Sequence, residues 1–439
     1  MRIALRQLLS SPVFITGVAF AVRVLLLLHG SGSMPVAVRG NQPYGYELGR
    51  VARAIAAGEG FSSPLRLFDT GPTAWFTPIY PYLVAGIFKV WGIYSELSHI
   101  IITLLNSAFV SLTIIPIHGI AKRTFGQSVA VASSWIWVFL PTAMFFPIAW
   151  VWDTTLAALF LALIFWATLA MRETQTISAW AGYGALWATG VLINPSILSL
   201  FPFLLGWLLW QSHKNQAPSA RLAASALLIF TIALVPWTVR NYRVFGKFIV
   251  LRSNFGLELW LGNNPSVPDT WSPWLHPNDN LQEGEKYKRM GEIAYMAEKQ
   301  KEAITFMRTH PADTAYFTFR RFVNNWLGVT DSPIDSWSHS PYYVKAFIVL
   351  NCLFPLFTLL GALFAYRDKR EEAVPYAMVL LVFPIIFYVT HTSLRYRFPM
   401  DPIMVVLASY GASCAISLLR ARFTREPEAV TPTASVSAL

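Results

Sequence analysis

Apolar runs about the length of a membrane crossing recur along this chain and decide what it can become. A helix needs about 20 apolar residues to span the hydrocarbon of a bilayer. Runs of that order are read at 12–30, 98–120, 127–145, 151–171, 177–194, 196–211, 220–238, 344–366, 374–390 and 399–419. The fifth and sixth are short and share the hinge "NPS" at 194–196. Only 13% of the 439 residues are charged, where an average soluble domain carries about 25%. The expectation is an all-α polytopic membrane protein with about ten transmembrane helices. The first run has a basic start but no small-x-small cleavage site after it, so it reads as a retained span rather than a signal peptide. The segment "PIYPYLVAGIFKVWG" (78–92) is apolar but short, opens on Pro and carries Lys89. It reads as a helix lying in the interface.

The net charge of +11 is explained by where it falls. Short loops rich in Lys and Arg stay cytoplasmic. With the N-terminus inside, the inner segments are "MRIALR", "AKRTFG", "MRET", "SHKNQAPSAR", "YRDKREE" and "RARFTRE", and every one is basic. The short outer loops at 145–150 and 194–196 carry no Lys or Arg. Both termini are therefore expected in the cytoplasm, and a nucleic-acid partner loses its support. Two outer segments break the pattern, "VRNYRVFGKFIVLRSNFG" (239–256) and "SLRYRFPMD" (393–401). Their basic residues need a reason other than topology.

This map divides the chain into an N-terminal transmembrane core (1–238) with a long first outer loop (31–97), a mostly helical outer segment (239–343) between spans seven and eight, C-terminal transmembrane helices (344–425), and a tail (426–439) that reads as disordered and cytoplasmic. The outer segment is rich in tryptophan, at Trp260, Trp271, Trp274, Trp326 and Trp337. Such residues form belts at a membrane boundary, and they also serve sugar- or lipid-binding surfaces. The two cysteines, Cys352 and Cys414, lie inside apolar runs and offer neither a disulfide framework nor a metal spacing. No P-loop or Gly-rich nucleotide motif is present, and no internal repeat of the kind common in secondary transporters is visible.

The first outer loop is the most informative stretch. It holds "YGYELGRVARAIAAGEGFSSP" (44–64) and then "GPTAWFTPIYPYLVAGIFKVWG" (71–92). A span, an Ala-rich amphipathic helix with Ala52, the stop at Gly58, Gly60 and Phe61, and a helix opening on Pro78, Tyr80 and Pro81 follow in that order. This layout resembles the membrane glycosyltransferases of the GT-C fold, and most closely their bacterial branch, related to protein mannosyltransferases and to the lipid A aminoarabinose transferase. "PWTVRNYRVFGKF" and "RYRFPMDP" extend the likeness. It implies a sugar moved from a polyprenyl-phosphate donor to a glycan, lipid or protein acceptor, on the periplasmic side of a bacterial inner membrane. That family carries an Asp at the head of the loop helix. Here Tyr44 stands near that place, and Glu47 is the sole carboxylate between residues 1 and 58.

A base must take the acceptor's proton as its oxygen attacks the anomeric carbon. An inverting transfer needs one such carboxylate and no covalent intermediate. Glu47 is the first candidate, against the plain alternative of a solvated charge at a helix start. Asp153, in "AWVWDTTLAAL", falls at the outer mouth of the fourth run and is the second; it could equally cap that helix. Asp69 reads as a turn residue. Arg suits a donor phosphate because of its planar fork. Arg240, Arg243, Arg395 and Arg397 supply it from the two anomalous segments, against the alternative of snorkelling to headgroups. Tyr44, Tyr80, Asn241, Tyr396 and His391 are candidate substrate contacts, with Lys247 as a helper. Arg23, inside the first span, faces either the Asp153 side or the bundle interior. No cofactor is demanded, although Glu47 and Asp153 could share a divalent ion. The competing readings are a transporter or flippase of lipid-linked sugars without catalysis, and an inactive scaffold.

Overall fold

The structure is a computed structural model, and it describes residues 2–30, 44–66, 68–214, 219–268, 271–327 and 342–423. The tail at 426–439 and Trp337 lie outside the described residues. Each apolar run forms helix. Eight helices among the described residues are long and apolar enough to cross a membrane, and a bent pair makes a ninth. Ile177–Ile193 is apolar but one of the shorter helices. The protein is thus a polytopic helical membrane protein. Its bundle carries large apolar side chains on the outside, such as Leu25, Leu228 and Leu363, which water would penalise and lipid accepts.

The run at 127–145 differs from a single straight span. It forms two helices, Gln127–Phe139 and Pro141–Ala149, bent by 44° at Leu140. The cause is in the sequence. Pro141 and Pro147 have no N–H, so the carbonyls four residues earlier, of Trp137 and Ala143, lose their helical partners. Arg23 replaces both. From the middle of the helix Pro12–Gly30 its Nη2 donates to the Trp137 carbonyl at 3.4 Å and its Nε to the Ala143 carbonyl at 3.1 Å. A third bond runs from its Nη1 to Ala19 in its own helix at 2.8 Å. Arg23 therefore faces the bundle interior, fully buried, and its charge is distributed over carbonyl oxygens.

The segments that follow the first and seventh spans pack on one another at one end of the bundle, called here the loop end. The loop helix Tyr46–Ala56 buries Leu48, Val51 and Ala52. It stops as the Gly-x-Gly-Phe pattern requires: Gly58 takes a left-handed φ of 84°, its N–H reaches Ile55 O and that of Glu59 reaches Ala54 O. These two bonds make a Schellman cap. The interfacial stretch becomes the helix Ile79–Trp91. The seventh span continues to Phe245, past the expected end at 238, so Arg240 and Arg243 lie in its last turns. At Gly246 (φ 63°) the chain reverses. It returns along the helix, with Asn241 Nδ2 donating to Ile249 O and Trp237 Nε1 to Leu251 O. Helices Phe255–Gly262, Leu281–Met290, Glu292–Thr309 and Pro311–Leu327 follow.

One carboxylate ties these two segments together. Glu292 is buried and accepts from Thr73 Oγ1 and Ala74 N of the first loop. It also accepts from Ser253 Oγ at 2.6 Å and Tyr287 Oη at 2.7 Å in the second segment. Four neutral donors satisfy the two oxygens of one anion, which is what makes its burial tolerable.

Candidate active site

Gly45 decides where the loop helix begins. It has φ 83°, and a Cβ on it would fall 2.1 Å from the Val151 carbonyl oxygen. Only glycine lets the two backbones meet there. The contact sets the start of the loop helix, with Glu47 in its first turn, against the segment that ends in Asp153.

Glu47 is 8% exposed. Its Oε1 accepts from Asn278 Nδ2 at 2.7 Å. The Asn278 carbonyl oxygen in turn accepts from the Arg66 N–H at 2.8 Å, which fixes the orientation of the amide. His276 Nδ1 lies 3.6 Å from Glu47 Oε1. That nitrogen already accepts the Asn278 N–H, so the approach is not a hydrogen bond. Glu47 is consequently held by one neutral donor.

Asp153 is the N-cap residue of the helix Thr154–Met171 but its side chain makes no capping bond. Its Oδ2 accepts instead from Asn194 Nδ2 at 3.2 Å, from the "NPS" hinge. Arg252 and Arg395 are the cations whose charges reach it. Neither Arg forms an ion pair with a carboxylate among the described residues. Arg395 lies over the Trp152 ring at 4.1 Å and donates to Tyr396 Oη at 3.2 Å. Arg252 donates from Nε to Trp75 O at 2.6 Å and stacks on Phe76 at 5.1 Å. Aromatic faces hold both guanidiniums in place while leaving donors free.

Beside them lies a buffered pair. Glu258 Oε2 is 2.5 Å from His391 Nε2, and its Oε1 accepts from Asn254 Nδ2 at 2.6 Å. His391 stacks on Trp271 and meets the Tyr396 ring edge-on. Burial works against the Glu258 carboxylate, but the bond and charge of His391, with Arg252 and His276, outweigh it and hold the group down at about 2.

The other residues singled out in the sequence are placed differently. Arg397 is fully buried, paired with Asp401 at 3.1 Å and bonded to Trp326 O at 2.8 Å. Arg240 donates to Thr73 O at 2.6 Å and Phe61 O at 2.9 Å, among the rings of Phe61 and Trp237. Its neighbour Asn241 holds the return strand. Arg243 is exposed, as is Lys247. Tyr44 anchors the loop helix by donating to Tyr94 O and Ser95 O. Tyr80, fully buried, donates to Asn106 Oδ1 at 2.9 Å. Asp69 is a turn residue, accepting from Ser63 Oγ and Gly71 N.

Sequence reasoning missed Arg252, Glu258, His276 and Asn278. Arg252 lay within the anomalous basic segment 239–256 and could have been found there. The others meet their partners across 133 to 231 residues, and nothing local announces them. Among the described residues no group of three His, Cys, Asp or Glu side chains could hold a metal ion, so no step below is routed through one.

The fold is the GT-C fold. Within the chain, residues 75–237 match the family model described as dolichyl-phosphate-mannose-protein mannosyltransferase. Among solved structures, the oligosaccharyltransferase of Archaeoglobus fulgidus in the apo form is similar over 94% of this chain and 52% of that chain, with 13% identity and a TM-score of 0.54. The oligosaccharyltransferase AglB of the same archaeon, in complex with an inhibitory peptide and a dolichol-phosphate, is similar over 87% of this chain and 47% of that chain, with 14% identity and a TM-score of 0.52. The chain spans about half the length of these enzymes. No curated protein matches it by sequence.

Proposed function

We propose that the protein is a membrane glycosyltransferase that moves a sugar from a polyprenyl-phosphate carrier to an acceptor hydroxyl or amine, with inversion at the anomeric carbon. The observation that carries this is that the Gly45–Val151 contact brings the segments bearing Glu47 and Asp153 together at the loop end, where the charges of Arg252 and Arg395, which form no ion pair with a carboxylate among the described residues, reach Asp153. An archaeal enzyme of the same fold that binds a dolichol-phosphate supports a lipid phosphate as the carrier. The basic short loops support a loop end facing the periplasm of a bacterial inner membrane, with both termini cytoplasmic.

In this mechanism Glu47 is the general base. The acceptor oxygen attacks the anomeric carbon and gives its proton to Glu47. The bond from that carbon to the phosphate oxygen breaks on the opposite face, and its electron pair leaves with the carrier phosphate. Arg395 and Arg252 receive the charge that develops there. They are already oriented by Trp152 and Phe76, so little reorganisation is needed at the moment of reaction. Asp153, held by Asn194, keeps these cations gathered and orients the sugar. Glu258 and His391 set the Tyr396 ring against which Arg395 rests. Arg240 and Arg397, with their donors occupied, shape the walls.

The test is transfer of a labelled sugar from a polyprenyl phosphate in reconstituted vesicles, with donor binding scored separately. Glu47→Gln keeps the size and the acceptor oxygen but cannot take a proton. Turnover is expected to fall about 100- to 10,000-fold while donor binding persists. Turnover within a few-fold of wild type would remove Glu47 from the role and leave Asp153 as the base.

A further inference from the structure

Among the described residues, the buried arginines other than Arg50 have their donors largely spent. Arg23 takes three carbonyls. Arg321 takes carbonyls at 388 and 389 and the Asn263 side chain. Arg397 takes Asp401 and a carbonyl. Arg50 is the exception. It is 8% exposed, its Nε is buried without a hydrogen-bond partner, and among the described residues its guanidinium makes no ion pair. A buried polar group left in this state calls for a cause, because an unpaired buried cation is costly.

Its surroundings suggest the cause. Arg50 lies one helical turn beyond Glu47, and residues three apart share a face about 5–6 Å apart. Burial opposes its charge, as do Arg66 and Arg53, while Glu47 and Tyr94 favour it. Arg53 is already paired with Glu59. Arg66 is exposed and anchored through its N–H to the same Asn278 that holds Glu47. Arg50, one turn from Glu47, and Arg66, whose charge reaches Arg50, thus form no ion pair with a carboxylate among the described residues.

We propose that Arg50, helped by Arg66, forms an anion subsite on the acceptor side of the reaction, which receives a phosphate or carboxylate group carried by the acceptor a few bonds from its attacking hydroxyl. This rests on Glu47 being the base. In an inverting transfer the carrier phosphate leaves on the face of the sugar away from the base, the side the proposed mechanism assigns to Arg395 and Arg252, so an anion bound one turn from Glu47 belongs to the other substrate. The planar fork of Arg50 fits either anion, and Glu47 then lies within reach of a neighbouring hydroxyl. The acceptor class is accordingly an anionic glycan or glycolipid, not a neutral one.

Binding of small probes tests this without any turnover. Glucose 6-phosphate and glucose are compared by saturation-transfer NMR on the full chain in detergent micelles. Glucose 6-phosphate is expected to bind roughly tenfold better than glucose, with Arg50→Gln abolishing most of the preference and Arg50→Lys, which lacks the fork, keeping part of it. Arg66→Gln, at an exposed position that threatens folding less, is expected to reduce it about threefold. Arg395→Gln should lower glucose 6-phosphate binding on the donor side without removing the part of the preference that depends on Arg50. A preference that survives both Arg50→Lys and Arg66→Gln at full strength overturns the proposal, as does one lost only with Arg395→Gln, which would assign the phosphate to the donor side. Equal binding of the two sugars overturns it as well. If Glu47→Gln keeps its turnover while this preference still depends on Arg50, the base assignment fails and anion binding at Arg50 stands.

Discussion

Gly45 and Gly58 form a matched pair that isolates the contact on which the site depends. Their φ angles are 83° and 84°. Alanine at either position costs roughly 1–2 kcal/mol for a left-handed backbone. At Gly58 a Cβ meets nothing within 4 Å, whereas at Gly45 it would lie 2.1 Å from Val151 O and 3.2 Å from its carbon. Ordinary contact begins near 3.4 Å, so the two backbones must separate by about 1 Å, a strain of the kind that adds about 1–3 kcal/mol. Glu47 lies two residues beyond Gly45, and Asp153 two beyond Val151, so the same shift opens the site. A misplacement near 1 Å costs about 100-fold in rate. Gly58→Ala is therefore expected to lose about 1–2 kcal/mol and to keep wild-type turnover. Gly45→Ala is expected to lose about 2–5 kcal/mol and about 100-fold in turnover. Thermal unfolding in detergent micelles, followed by tryptophan fluorescence, reads the first quantity, and sugar transfer in vesicles reads the second. Equal turnover in the two variants would refute the reasoning.

Two more expectations rest on paired charges. The folded Glu258 carboxyl is held at about 2 against an ordinary 4.5, so its pairing stabilises the fold above about pH 4.5 and is lost as pH falls toward 2. His391→Asn should flatten that acid limb in a pH titration of unfolding, and an unaltered limb would count against the pair. Arg23→Met should leave the Trp137 and Ala143 carbonyls unpaired and cost about 2–6 kcal/mol, at about 1–3 for each orphaned group. Arg23→Lys should lie between, since one ammonium cannot span both carbonyls as the fork does. A variant Arg23→Met as heat-stable as wild type would show that the bend holds without it.

The helices were legible because lipid makes a simple demand. Every backbone group in the hydrocarbon must be satisfied within its own segment, so an apolar run of sufficient length can be little else. Local punctuation was legible too: Gly58 ends the loop helix where the pattern places the stop. The bend at Leu140 was written in Pro141 and Pro147, but not the identity of the side chain that completes it. Arg397 and Asp401 stand four residues apart at the start of the tenth span, so their pairing could have been read from spacing. The division of labour between Arg240 and Arg252 could not. Both occupy one basic segment, and the reversal at Gly246 turns the first toward the carbonyls of residues 61 and 73 and the second toward Asp153. Asn278 beside Glu47 and His391 beside Glu258 are products of tertiary packing alone.

The Glu292 carboxylate bears on when this site can exist during synthesis. Its oxygens hold Thr73 and Ala74, so the first loop lacks its anchor until residue 292 has been made. At about 5–20 residues per second, the 219 residues from Thr73 to Glu292 take about 10–45 s to emerge. For most of that interval a nascent chain carries the loop helix with Glu47 but neither its anchor nor the Asn278 that donates to Glu47. Under the proposed function, the arrangement around Glu47 is completed only once the second segment has folded onto the first.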